Sequence, residues 1–470
     1  MRILLVAHNY PPAHTAGVEQ HTAQVARELV RRGREVSVFC AEKDVSRAPG
    51  TLVERVHDGV RVTEFTNNLT YSDFRETWDF GAAESAFAEH LAREKPDVVH
   101  FQHLMYLSAG CIDAVARAGA ACVFTLHDYW LHCARFGQRL HPDGSVCATI
   151  EFARCGECMA GFKFRQSALE RSGGRWIAGL KETLGVDVSQ VAKRTARRLG
   201  LAQPQDRAPD PERAAAMARE LVARDEQLRT RVLGGVQRLI APSRFLLGRM
   251  VEWGVPCGAL ELMRMGAEVD RFAAHPRQRA AGAGAGRLRV VFLGTFAPHK
   301  APHLIVEAWR SLPSDLRASA QLELFGSGAH YPEYVAALRR AADEAGVNVR
   351  AVLSRDGVAS TLTSADLLVM PSVWWENAPL VLIEAVEART PILVSDLGGM
   401  AEFVHERPCG ATFEPGNSAD LSRALAELLG DRARLAQFYS SGPKPPTMAD
   451  NVVRMEQIYA EAVGERRAAR

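Results

Sequence analysis

The sequence predicts an α/β protein built from two doubly wound domains that face each other across a cleft, with a mostly helical insertion in the first. Three observations predict it. Short apolar runs of buried-strand length alternate with helical stripes, the pattern of parallel strands joined by crossover helices. The alternation is interrupted over 159–236 and restarts at Leu288. Between the two blocks lies Arg279-Ala-Ala-Gly-Ala-Gly-Ala-Gly-Arg287, whose small residues suit a flexible interdomain connector.

The elements follow in order. Arg2 to Ala7 is an apolar run of strand length, and the loop Tyr10 to Gly17 carries prolines and glycine. Val25, Ala26, Leu29 and Val30 form a helical stripe within His21 to Arg32, and Gly33 ends it. Val36 to Cys40 resumes as a strand. Asp97 to Phe101, Cys111 to Ala118 and Ala121 to Leu126 continue the alternation. The second block offers Leu288 to Leu293, Gln321 to Phe325, Val347 to Leu353, Leu367 to Met370 and Pro391 to Ser395 as strands. The expected organisation is therefore a first domain over 1–278, with a cysteine-bearing loop at 133–158 and the insertion at 159–236. A linker at 279–287, a second domain over 288–445 and a C-terminal helix over 446–470 that packs back on the first domain complete it.

Length and composition agree. A chain of 470 residues is too long for one core, and 47% apolar with 24% charged residues excludes disordered, collagen-like and disulfide-scaffold classes. Lys and Arg total 57 against 55 Asp and Glu, so net charge gives no reason to expect a nucleic-acid partner. The apolar start at Ile3 to Ala7 is cut short by His8, Asn9 and Tyr10-Pro11-Pro12, and no run reaches the roughly 18–20 apolar residues that span a bilayer. A cytoplasmic location is expected. Lys163 to Arg198 holds nine Lys or Arg against three Asp or Glu, near Phe162, Phe164 and Trp176, so it reads as a solvated helical face or a peripheral contact with the inner membrane surface.

The strongest chemical signal is Pro371-Ser-Val-Trp-Trp-Glu376-Asn377-Ala378-Pro379-Leu380-Val-Leu-Ile-Glu384-Ala385. It follows a strand, and Pro379 suits the start of a helix whose free N–H groups and positive dipole end attract phosphate or sugar oxygens. Glu376 would lie in the loop and Glu384 one to two turns into the helix, so the two carboxylates reach different hydroxyls of one elongated ligand. Leu293-Gly-Thr295-Phe-Ala-Pro-His-Lys300 places a cation after another strand. In Ala16-Gly17-Val-Glu19 the glycine permits close backbone approach to a ligand, and Phe124-Thr-Leu-His127-Asp128-Tyr-Trp sets a histidine at a strand end. His103 is a weaker neighbour. Cys133, Cys147, Cys155 and Cys158 fall within twenty-six residues and close on a Cys-x2-Cys knuckle, which suits a tetrahedral structural Zn²⁺; a redox pair or simply buried thiols are the alternatives.

These strings resemble the retaining glycosyltransferases of family 4. The resemblance implies the GT-B arrangement of two Rossmann-like domains, acceptor-side first and nucleotide-sugar-binding second. It also implies transfer of a sugar from a nucleotide sugar, most simply a UDP- or GDP-sugar, to a glycan, lipid-linked or natural-product acceptor. By the same resemblance Glu376 contacts the donor sugar, Glu384 the nucleotide ribose and Lys300 the diphosphate. Gly17 approaches the donor phosphate and His127 faces the sugar. The donor set would comprise Gly17, Thr295, Lys300, Glu376, Asn377, Ala378, Pro379, Leu380 and Glu384, with His127, Lys300 and Glu376 carrying the chemistry and no cofactor required. The chain departs from the family pattern at Thr295, usually arginine, at Ala301 and at Ala16, both usually glycine. A non-catalytic partner built on the same fold is the alternative those departures leave. The cysteine run resembles a loop found in some members after the same His-Asp-Tyr-Trp segment.

Overall fold

The computed structural model describes residues 1–166, 172–173, 210–277, 283, 286–440 and 444–468. Strands β1 (Arg2–Ala7), β2 (Glu35–Glu42), β3 (Leu52–His57), β4 (Val60–Thr66), β5 (Val98–Phe101), β6 (Ala121–Thr125), β7 (Arg238–Ala241) and β8 (Leu260–Leu262) form one sheet in the order β3-β4-β2-β1-β5-β6-β7-β8. Every pairing is parallel except that of β3 with β4. The second sheet contains β9 (Leu288–Leu293), β10 (Ala320–Phe325), β11 (Asn348–Arg350), β12 (Leu367–Met370), β13 (Ile392–Ser395) and β14 (Gly410–Phe413). Its order is β11-β10-β9-β12-β13-β14, parallel throughout.

Each sheet is covered on both faces, which is why its central strands are continuous apolar runs rather than alternating ones. Ile3 to Ala7 are all buried. One face of the first sheet packs the helices Gly81–Glu94, Cys111–Ala118 and Pro211–Gly235. The other packs Gly17–Arg31 and the C-terminal helix Met448–Ala468. The C-terminal helix is fastened by Glu456 to Arg32 (2.8 Å) and by the buried Tyr459 hydroxyl to His100 (2.7 Å).

Residues 159–236 differ from the expected insertion at their C-terminal end. The helix Pro211–Gly235 leads directly into β7 and buries Leu221, Leu228 and Val232 in the first domain's core, so it is the crossover helix of this parallel sheet. Most of 167–209, with most of the basic stretch, lies outside the described residues, as does most of the glycine-rich connector. Arg224 sits on the buried side of this helix. It is 3% exposed, donates to the carbonyls of Trp130 (2.6 Å) and Leu131 (3.3 Å) and stacks 4.9 Å from the Trp130 ring. Burial lowers its pKa to about 10, which leaves it charged at neutral pH. Arg224→Leu strands two buried carbonyls and is expected to cost about 2–3 kcal/mol, read from denaturant unfolding; a loss below about 0.5 kcal/mol would refute this role.

Both sheets reverse strand order once near their centres, between β1 and β5 and between β9 and β12. The crevice at the carboxyl ends of such strands is where doubly wound sheets bind ligands. His8, Gln102 and His103 follow the first pair; Thr295 and the loop from Pro371 to Pro379 follow the second. Among the described residues no helix is long and apolar enough to cross a membrane.

Candidate active site

The first-domain half begins at the loop after β1. Gly17 opens the helix Gly17–Arg31, is exposed, and has no atom within 4 Å of where a Cβ would stand. Ala16 supplies no side-chain cap, so the first N–H groups remain available to an anion. Behind them Glu19 and His8 meet at 3.2 Å, both buried. Burial holds His8 below its ordinary pKa. It pushes Glu19 the other way, but the His8 contact outweighs it and keeps that carboxyl low. The contact is therefore a neutral imidazole N–H donating to a carboxylate.

At the ends of β5 and β6 the His103 Nδ1 accepts the Met105 N–H (2.9 Å), so its Nε2–H donates to Asp128 at 3.0 Å. Burial pushes the Asp128 carboxyl up, yet His103 beside it and the Trp130 N–H hold it below the usual range. His127 donates from Nε2 to the Gln102 carbonyl oxygen (2.8 Å), and its ring lies 5.1 Å from that of His21. Burial first, then neighbouring imidazoles, drive its pKa well below 6.5. A neutral ring with Nε2 protonated leaves Nδ1 as an acceptor.

In the second-domain half, Thr295 is exposed at the end of β9 and Lys300 ends the turn Pro298–Lys300. Ala301 then takes a left-handed conformation (φ 49°, ψ 40°) at the start of the helix Pro302–Ser311, a backbone state that glycine adopts more readily than alanine. The Lys300 ammonium pairs with Glu376 Oε1 and lies 5.1 Å from the Trp374 ring centre; the Ser372 hydroxyl donates to the same oxygen at 2.9 Å. Glu376 is 5% exposed. Burial alone would raise its pKa, but Lys300 beside it reverses the direction and holds the carboxyl below its ordinary range. Gly399 backs this loop: its N–H donates to the Glu376 carbonyl (2.9 Å), and a Cβ there would stand 1.7 Å from the Asn377 oxygen.

Asn377, expected against the donor, has its side chain committed to the first domain. Its Nδ2 donates to the Leu126 carbonyl (3.0 Å) and its Oδ1 accepts the Ser243 hydroxyl (2.6 Å). Since Leu126 directly precedes His127, this bond ties the loop of Glu376 to the strand end of His127. Trp375 crosses the same boundary and packs against Phe245 and Tyr129, with ring centres 4.9 and 5.9 Å away. Ala378 precedes Pro379, which occupies the N-cap of the helix Leu380–Glu387 without a side-chain cap, so the N–H groups of Leu380 and Val381 stay uncapped while that of Leu382 donates to the Pro379 carbonyl (3.0 Å). Glu384 stands in the second turn, with Oε1 held by Arg271 at 2.6 Å.

The zinc expectation is not supported. All four loop cysteines are free thiols, and among the described residues no group of three or more His, Cys, Asp or Glu side chains is arranged to hold a metal ion. Instead the Arg135 guanidinium lies 3.7 Å from the Cys158 sulfur, and the Cys133 thiol turns to the Arg135 carbonyl. Burial pushes Cys155 up to about 11 and Cys147 to about 12, which keeps both protonated at neutral pH. The loop serves as a brace. Arg139, 4% exposed, donates to the carbonyls of Cys147 (2.6 Å) and Ala148 (3.1 Å) and lies 5.1 Å from the Trp375 ring.

Four participants were given no role by the sequence. Gln102 stands in Phe101-Gln-His103, Ser243 in Ile240-Ala-Pro-Ser-Arg-Phe-Leu, a segment similar to the one the family has before its interdomain link, and Arg139 in the cysteine-bearing loop. Arg271 lies in no such string.

Comparison with known proteins agrees with this geometry. The model of glycosyl transferases group 1 matches residues 277–444, and that of Glycosyltransferase Family 4 matches 15–150. A D-inositol 3-phosphate glycosyltransferase of Nocardia farcinica is 30% identical over 222 residues, 44% of this chain and 48% of that one. One from Rhodococcus opacus is 26% identical over 230 residues, 45% and 51% of the two chains. The chain thus spans about half the length of the curated relatives it matches. Among solved structures, Anabaena HepE in complex with UDP and glucose superposes with a TM-score of 0.61 at 14% identity, covering 98% of this chain and 99% of that one. Sucrose-phosphate synthase from Thermosynechococcus elongatus gives 0.62 at 15%, over 99% and 100%. At such identities the structural likeness shows the fold alone. Two α/β domains meeting at the carboxyl ends of their sheets, with one family model matching each, place this chain in family 4 of the GT-B-fold glycosyltransferases.

Proposed function

We propose that the chain is a retaining glycosyltransferase that moves a sugar from a nucleoside-diphosphate sugar, UDP- or GDP-linked, to a hydroxyl of a glycan, lipid-linked or small-molecule acceptor. The observation that carries this reading is the Lys300–Glu376 pair, set at the strand-order reversal of the second sheet and tied through Asn377 to the strand end that bears His127. Lys300 would neutralise charge building on the departing diphosphate, aided by the uncapped helix N-termini at Gly17 and Leu380. Glu376 would accept hydrogen bonds from the sugar hydroxyls, and the His127 Nδ1 one more from across the boundary. Glu384 would take the ribose. These groups meet the leaving-group charge without a metal, in keeping with the lack of an Asp-x-Asp triplet in the sequence. The relatives' names favour a phosphorylated cyclitol as the first acceptor to try.

Thermal unfolding against UDP, GDP, ADP and dTDP tests the donor half. A ligand at one hundred times its Kd stabilises by about 2.7 kcal/mol. One base is expected to do so, with the effect lost in Lys300→Ala and Glu384→Ala. Stabilisation by none of the four would leave a non-catalytic partner as the reading to pursue.

A further inference from the structure

Glu384 is the carboxylate proposed for the ribose, and it is not free to turn. We propose that Arg271 is the positioning residue that gives this site its preference for ribose over deoxyribose, by fixing one oxygen of Glu384 and leaving the other to the ribose diol. The inference rests on the donor-site reading above.

The guanidinium of Arg271 makes two hydrogen bonds and one further ion-pair contact. Nη2 donates to Glu384 Oε1 at 2.6 Å, Nη1 to the Arg355 carbonyl at 3.2 Å, and Nε lies 3.2 Å from Glu268 Oε2. Glu268 is fixed in turn, paired with Arg27 (2.6 Å) from the helix Gly17–Arg31 and with Arg355 from the helix Arg355–Ser364. The network therefore runs from the first domain through Arg27 and Glu268 to Arg271 and Glu384. Arg271 and Glu384 are both mostly buried, with side-chain exposures of 15% and 17%. A guanidinium already engaged by the Arg355 carbonyl and the Glu268 carboxylate resists following a wandering carboxylate; the carboxylate conforms to it.

The consequence for binding is geometric. A glutamate in the second turn of a helix has three side-chain torsions, and immobilising them on binding would cost affinity. With Oε1 taken by Arg271, the torsions are set before the ligand arrives. Among the described residues Oε2 has no hydrogen-bond partner, and its two lone pairs suit two adjacent hydroxyl donors. A vicinal cis-diol is the ligand chemistry that matches, and a deoxyribose offers only half of it. Removing the guanidinium should therefore weaken diol recognition while leaving base and diphosphate contacts in place.

The test compares Kd, by calorimetry, for UDP with 2′-deoxy-UDP and for GDP with 2′-deoxy-GDP. The proteins are wild type, Arg271→Met, Arg271→Lys, Glu384→Gln and Lys300→Ala, each checked for an intact cooperative thermal transition. Wild type is expected to prefer the ribonucleotide by about tenfold, the scale of one lost hydrogen bond in a polar site. In Arg271→Met that ratio should fall to within about twofold of unity, with deoxy affinity changed by less than about twofold. Arg271→Lys, which keeps a cation but not the fork, should retain part of the ratio, and Glu384→Gln should lose it. The inference is overturned if Arg271→Met weakens both nucleotides equally with the ratio intact, which is the signature of structural support alone. It is overturned as well if Arg271→Met leaves both affinities unchanged, or if Glu384→Gln keeps the preference. No binding by wild type, or full binding by Lys300→Ala, would instead defeat the donor-site reading itself.

Discussion

Lys300→Met is expected to destabilise the folded chain by about 3 kcal/mol at pH 7 and to lower kcat/KM by at least about a hundredfold. The stability loss does not come from lysine's own contacts. Glu376 is 5% exposed, and without the ammonium it becomes a buried charge left to neutral donors, the Ser372 hydroxyl and the neighbouring Trp374 indole. The pH dependence follows from the sign of its shift. In the wild type Glu376 is held below the ordinary carboxylate range despite its burial, so the pair's stabilisation is present above the unfolded pKa of about 4.3 and fades as pH falls through the lower folded value. In Lys300→Met burial loses its largest opponent and raises that pKa relative to wild type. The deficit relative to wild type is then largest near neutrality and shrinks on acidification, as both the folded and the unfolded carboxyl take up a proton. Adding Glu376→Gln to Lys300→Met should return about 1–2 kcal/mol of stability while activity stays lost, because an amide is far less costly to bury than an unpaired carboxylate. Unfolding at pH 7.5 and at pH 5, with donor kinetics at pH 7.5, gives all these quantities. Equal stability of Lys300→Met and wild type at pH 7.5 would mean that Glu376 finds its counter-charge elsewhere.

How much of this was legible beforehand depended on whether a feature was local. Parallel strands covered on both faces are near-continuous apolar runs, so β1, β5, β6, β9 and β12 stand out from their residues alone despite His100 and Arg289. The β3–β4 hairpin did not, because β3 alternates and carries Glu54 and Arg55. Its signal was the turn Asp58-Gly59, where both residues adopt positive φ (49° and 76°), as a two-residue hairpin loop requires. The helix Pro211–Gly235 was read as an insertion because its arginines and alanines hide the stripe of Leu221, Leu228 and Val232, and because a buried arginine breaks the expected pattern. In the site, Glu376, Lys300 and His127 sit in strings that follow β12, β9 and β6, so the order of elements along the chain already brings them to strand ends. The direction of a side chain is not encoded in that order. Asn377 turns away to Leu126, and the four cysteines share a loop without forming, among the described residues, a group arranged to hold a metal ion. Arg271 has no motif, because its function depends wholly on a carboxylate 113 residues away.

Trp375→Ala is expected to cost about 3–5 kcal/mol and to lower kcat/KM by about ten- to a hundredfold, although the residue touches none of the groups proposed to act on the donor. Its indole leaves the second domain and joins the core of the first, 7% exposed, between Phe245 and Tyr129 and under the guanidinium groups of Arg139 and Arg249 at 5.1 and 5.8 Å. Truncation leaves a cavity where two domains meet, and neither sheet can shift to fill it without moving the other. It also frees the next two residues, Glu376 and Asn377, from the position the indole fixes. Trp375→Phe keeps most of the apolar contact and should cost about 1–2 kcal/mol, with kcat/KM within about fivefold of wild type. Asn377→Ala leaves the Leu126 carbonyl and the Ser243 hydroxyl without their partner and should cost about 1–3 kcal/mol. Combined with Trp375→Ala it should cost less than the sum, because the two side chains hold one loop to one surface. Thermal unfolding of the single and double variants, with donor kinetics alongside, measures both effects. If Trp375→Ala lowers stability by this amount yet leaves kcat/KM within twofold of wild type, the interdomain anchor carries stability alone, and the position of Glu376 is set by Lys300 and Ser372 within its own domain. If both fall together and Trp375→Phe restores both, the same indole that joins the domains also sets the reach of Glu376, and the cysteine-bearing loop acts on the site through Arg139.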